Sequence, residues 1–124
     1  MAAALDRLTS VREQFAAAYR SILESVLARR LPTAVCTIYD ARFPDPRRRK
    51  IAATALTIFN DHITRAAFAR NLPLIDLRLI CNEDTDFANP IEPSVKGGAK
   101  IAAAIAALAA ERDSGWTRSE VFAR

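Results

Sequence analysis

Glycine is almost missing: this 124-residue chain has three, and the first is Gly97. A phosphate-cradling loop is therefore confined to Ser94-Val95-Lys96-Gly97-Gly98-Ala99-Lys100. The spacing there does not match Gly-x4-Gly-Lys-Ser/Thr, and no strand pattern immediately precedes it. The two cysteines, Cys36 and Cys81, have no metal-type spacing and are too few for a disulfide framework, so both are expected as buried free thiols. No apolar run approaches the roughly eighteen residues that cross a bilayer, because charged residues interrupt every candidate. The N-terminus Met1-Ala2-Ala3-Ala4-Leu5-Asp6-Arg7 lacks the basic and apolar regions of a signal peptide, which makes a cytoplasmic location the expectation. The formal charge is only +4, with basic residues spread along the helical patterns and no aromatic interleaving, which speaks against a nucleic-acid partner. Neither a membrane partner nor a metal or other cofactor is expected.

What remains is a composition that is 51% hydrophobic and 26% charged, ordinary for one globular domain. Over residues 6–30, Leu8, Val11, Phe15, Tyr19, Ile22 and Val26 recur every three or four positions, which predicts an amphipathic helix with one buried stripe. Residues 33–39 are β-branched and nearly uncharged and read as a strand buried on both faces. Pro46 suits the first position of a second helix that runs to about residue 70, with Ile51, Ala55, Ile58, Ile63 and Ala66 inward and Asn71 as its stop. Residues 72–77 predict a short strand, residues 78–93 an irregular polar loop, and residues 94–111 a last helix. Residues 113–124 read as a tail with a weak helical pattern. The order α-β-α-β-α predicts an α/β fold: a partial doubly wound, flavodoxin-like three-layer domain with two adjacent parallel strands and three main helices. Two parallel strands make a poor sheet alone, so the strand at 33–39 is expected to keep an open edge that pairs with a second copy.

The chemistry-bearing stretch is Asn89-Pro90-Ile91-Glu92-Pro93-Ser94, where two prolines stiffen the backbone around Asn89 and Glu92. Together with Ala18-Tyr19-Arg20, Cys36-Thr37-Ile38-Tyr39-Asp40, Phe59-Asn60-Asp61-His62-Ile63 and Leu72-Pro73-Leu74-Ile75-Asp76-Leu77-Arg78, it resembles the C-terminal half of the SGNH (GDSL-type) hydrolases. In that family Asp-x-x-His-Pro precedes the last helix. The resemblance implies that Asn89 and Glu92 occupy the positions of the catalytic aspartate and histidine, and that a small ester or acyl compound is the substrate of a completed site. The chain has no Gly-Asp-Ser nucleophile segment, no Gly-x-Asn-Asp segment and no early glycine to donate to an oxyanion. A carboxylate is also a weaker base than imidazole near neutrality. The implied activity is therefore silent in the chain alone, and the alternative is a non-catalytic binding or interaction module. The plain structural role for Glu92 is to cap or pair near the last helix.

Among other candidates, His62 reads as a partly exposed helix residue and Ser94 as a helix N-cap rather than a nucleophile. Asp76, ending the second strand, either faces a site or tethers the next loop. The run Arg47-Arg48-Arg49-Lys50 reads as a solvated helix start that leaves room for an acidic partner.

Overall fold

The computed structural model describes residues 1–111 and 119–124. The elements that begin the chain are helix α1 (Ala2–Leu27), strand β1 (Val35–Cys36), helix α2 (Pro46–Ala69) and strand β2 (Leu74–Ile75). They are followed by a one-turn helix α3 (Leu77–Ile80), a 3-10 turn (Asp84–Asp86), strands β3 (Phe87–Asn89) and β4 (Glu92–Pro93), helix α4 (Val95–Glu111) and strand β5 (Val121–Phe122). The sequence dictates the helix starts. Asp45 caps α2 by accepting from the Arg47 amide at 3.1 Å, with Pro46 just inside where its missing N–H costs nothing. Asn71 ends α2 with φ at 54°, a left-handed conformation that asparagine tolerates.

The protein is α/β, but the sheet has three parallel strands in the order β1-β2-β5, not two. Val121 and Phe122 pair with Leu74 and Ile75, so the expected helical tail instead ends in a strand that makes β2 central. The rest of that tail, residues 113–118, lies outside the described residues. The loop expected over 78–93 is also more ordered than its polarity suggested. It holds α3, the 3-10 turn and an antiparallel hairpin of β3 and β4. Local side-chain bonds explain this: Asp76 caps α3, and Glu83 with Asp86 forms a reciprocal capping box.

Helices cover both faces of the sheet. Leu23, Ile63, Ala67, Leu72 and Leu74 form one core between α1, α2 and the sheet. Ile75, Ile80, Cys81, Ala104 and Leu108 form the second, beneath α4. Strand periodicity sends neighbours Leu74 and Ile75 to opposite faces, which is why the two cores share β2. On α1 the buried line is Phe15, Tyr19, Leu23 and Leu27, while Leu8, Val11, Ile22 and Val26 stay exposed. The single buried stripe expected for α1 is thus wrong for four of its six members. Ile51 of α2 is likewise 60% exposed.

β1 is the edge strand, and it is neither long nor buried on both faces. Val35 and Thr37 direct their amides to β2, donating to Pro73 O and Ile75 O at 3.1 and 3.0 Å. Ile38 points the other way and meets the side chain of Asn60, which accepts from the Ile38 amide at 2.7 Å and donates to the Ile38 carbonyl at 2.8 Å. This buried amide stands in for a neighbouring strand and stops the ladder. Cys36 remains exposed, contrary to its expected burial, because it lies on the edge strand of the sheet. Cys81 is buried as expected.

Candidate functional site

Open α/β sheets hold their sites beyond the carboxyl ends of the strands. Here that rim is built by the segment following β1, the first turns of α2 and the tip of the β3–β4 hairpin. Tyr39 donates its hydroxyl to the Ile91 carbonyl at 2.6 Å, and the Arg42 amide donates to the Pro90 carbonyl at 2.8 Å. These bonds seat the hairpin against the β1–α2 connection. Between them lies a hollow of about 390 Å3 lined chiefly by Ile38, Tyr39, Phe43, Ala52, Leu56 and Ile91. It is apolar throughout apart from the tyrosine, whose hydroxyl is occupied. Burial raises the Tyr39 pKa first, and the negative potentials of Cys81 and Glu92 add to it.

Asn89 and Glu92 stand at this rim, but they are bonded to one another. The Asn89 side chain accepts from the amides of Ile91 and Glu92, both at 3.0 Å, and donates its own NH2 to the Glu92 carboxylate. Asparagine thus closes the hairpin turn, with both side chains exposed.

Asp76 resolves to a tether. Its carboxylate accepts from the Thr37 hydroxyl at 2.9 Å, from the Arg78 amide at 3.2 Å and from the Arg78 guanidinium at 2.9 and 2.8 Å. Thr37 accepts in turn from the Leu77 amide, also at 2.9 Å. This buried knot locks the ends of β1 and β2 together. The Arg78 bonds hold the Asp76 pKa below the usual carboxylate range, against the opposing effect of burial and with help from Thr37.

Ser94 is a cap, not a nucleophile: its hydroxyl donates to Thr85 O at 2.7 Å and accepts from the Gly97 amide at 3.2 Å. Lys96 and Lys100, one helical turn apart, both bind Glu83, and Lys100 also reaches Asp86 at 2.9 Å. Burial pushes the Asp86 carboxyl up, yet the Lys100 bond and the Glu83 amide outweigh it and hold the pKa low. Both lysines at this glycine turn are thus already bound to carboxylates. Gly97 is required by close approach, since a Cβ there would lie 2.0 Å from the Asp86 carbonyl oxygen.

His62 is partly buried among Phe15 and Tyr19, with ring centroids 5.9 and 5.8 Å away, and its Nε2 has no hydrogen-bond partner. Burial lowers its pKa, with Arg20 and Arg12 lowering it further and Asp61 opposing them. It belongs to the α1–α2 packing. In the basic run, Arg49 binds Asp84 at 2.7 Å and Arg48 stacks on Phe43 at 4.2 Å, so the acidic partner is Asp84 of the same chain. Among the described residues no group of three or more metal-ligating side chains converges, and no helix is long and apolar enough to cross a membrane.

Sequence reasoning missed the apolar hollow and Asn60. Asn60 did carry a signal: it sits in register with Leu56, Ile63 and Ala67, a polar residue in a core position of α2. No family model, curated protein or solved structure matches this chain.

Proposed function

We propose that the chain is a non-catalytic binding module whose carboxyl-edge hollow receives an apolar group, such as an acyl chain or the apolar part of an ester. The observation that carries this reading is the hollow itself: about 390 Å3 of apolar space, a volume typical of small-ligand pockets. Its neighbours argue against chemistry. The rim carboxylate Glu92 is engaged by Asn89, and Ser94 is engaged as a helix cap. A nucleophile needs an adjacent free base, and neither group is available to form such a pair.

A second reading, descent from an SGNH-like, flavodoxin-like hydrolase, is favoured by one specific feature. The hairpin that carries Asn89 and Glu92 lies on the carboxyl side of the sheet, seated on the Tyr39 hydroxyl, where that family keeps its acid–base loop. Under this reading ester hydrolysis requires a serine supplied from elsewhere. The test is release of p-nitrophenolate from p-nitrophenyl acetate and hexanoate. The binding reading expects saturable hexanoate binding with no turnover above that of Glu92→Ala. Hydrolysis that a serine-directed phosphonate abolishes would overturn it.

A further inference from the structure

The two long helices extend well past the sheet. At about 1.5 Å per residue, the 26 residues of α1 span roughly 39 Å. The packing of Phe15 and Tyr19 onto Phe59 and His62, and the ion pair of Glu24 with Arg70, show that α1 and α2 run side by side in the same direction. Asn60 is level with Ile38 at the carboxyl end of β1, so the leading halves of both helices project beyond the sheet. Every residue from 1 to 14 is exposed, including Leu5 at 56% and Leu8 at 43%. A hollow of about 620 Å3 lies between Leu5, Leu8 and Arg12 of α1 and Thr54, Ile58 and Asp61 of α2. A second of about 290 Å3 adjoins Leu8, Ile51 and Ile58.

A compact folded monomer of this mass, 13.6 kDa, exposes about 6,600 Å2, whereas the whole chain exposes 8320 Å2. The excess belongs to the chain as a whole, with exposed residues 1–14 of α1 contributing to it, and at about 1,700 Å2 it is of the order that each subunit of an obligate dimer buries.

We propose that the occupant of this face is a second copy of the chain, the two helix pairs closing into a four-helix bundle about a two-fold axis. A two-fold interface must be complementary to itself, so its rim needs both charge signs. The hollow between the helices has both signs, Arg12 on α1 and Asp61 on α2, the latter shared with Arg65 of its own helix at 2.9 Å, and Lys50 borders the adjoining hollow. Two helices of 26 and 24 residues with an apolar seam are half of such a bundle. The alternative, pairing through the edge of β1, has little to offer, because Asn60 already occupies the outward groups of Ile38. Ala55 borders both the ligand hollow and the helical face, but Leu8, Arg12, Ile51 and Asp61, which the test alters, do not line the ligand hollow, so the two readings stand or fall separately.

The experiment is sedimentation equilibrium of the full chain from 1 to 100 µM, with circular dichroism as the control for folding. The wild type should sediment at twice 13.6 kDa. Leu8→Glu and Ile51→Glu, both at exposed positions, should keep their helicity and weaken association at least 100-fold. Arg12→Glu should weaken it about tenfold, and Arg12→Glu combined with Asp61→Arg should restore it. A wild type that is monomeric across the range, or a dimer that survives both glutamate variants, would overturn the proposal. Should either glutamate variant lose helicity, the charge swap decides: no recovery in the double variant also overturns it.

Discussion

Residues 81–100 and the leading halves of α1 and α2 both lie at the surface, and they differ in how their side chains are satisfied. In the first, Glu83, Asp86, Ser94, Lys96 and Lys100 bond to each other and to nearby backbone, within twenty residues of sequence. In the second, Leu5, Leu8 and Ile51 are exposed beside open hollows. Polar groups can find partners locally, so a polar loop with two prolines still orders itself. Apolar groups are satisfied only by being covered, and the described residues do not supply the cover. The first region therefore contributes to intrinsic stability, and the second is the face proposed to set association.

The sharpest way to break the self-contained region is Gly97→Ala. The added carbon would overlap the Asp86 carbonyl, which is backbone and cannot swing away, so α4 must shift off the 3-10 turn. The expected loss is about 3 kcal/mol by urea denaturation. A loss below roughly 0.5 kcal/mol, the range of ordinary surface changes, would show that the contact is not as close as it stands. Next in size is Asn60→Ala, which strands the Ile38 amide and carbonyl. It should cost about 2 kcal/mol in the same measurement, since an unpaired buried polar group forfeits its full desolvation energy. It should also lengthen the open edge of β1 and promote aggregation, which light scattering would detect.

Acid tests the same region through its carboxylates. Asp76, Glu83 and Asp86 all titrate below their ordinary values in the folded chain, by bonds to Arg78, to Lys96 with Lys100, and to Lys100 against burial respectively. A folded pKa below the unfolded one contributes stability that is full above the unfolded value, about 4. That contribution is lost as pH falls through the lowered folded values. The urea midpoint should accordingly dip as pH falls through about 6.5, where His62 protonates more readily in the unfolded chain than in the folded one, and drop again below pH 4, with Asp76→Asn shrinking only the second drop. A midpoint that rises on acidification would contradict the assignment. The smallest effect is at the end of α1, where Arg30 adopts φ of 55°. Glycine takes that conformation without the side-chain clash, so Arg30→Gly should stabilise by about 1 kcal/mol in thermal unfolding. No gain would mean that the arginine side chain compensates for its backbone.

The sequence made the periodic elements legible and left the satisfied polar ones obscure. α2 begins at Pro46 and ends beside Asn71 as read, because capping chemistry is local. Ser94 was legible for the same reason. β5 was not, since Val121 and Phe122 show no alternation of their own and become a strand only by meeting β2. The hairpin at Asn89 and Glu92 was read as a stiff loop, whereas its order comes from an Asn89 turn and a tyrosine from fifty residues away. The exposed line of α1 was misread because an apolar stripe says that a face needs covering, not that the same chain covers it.

Methyl-resolved NMR during titration with octan-1-ol tests most directly the proposal that the carboxyl-edge hollow binds an apolar group. Saturable shifts are predicted for the methyls of Ile38, Ala52, Leu56 and Ile91, which line the hollow, with Leu79, exposed and outside it, unmoved. Shifts that fail to saturate, or that fall on Leu79 as strongly as on Leu56, would contradict the claim.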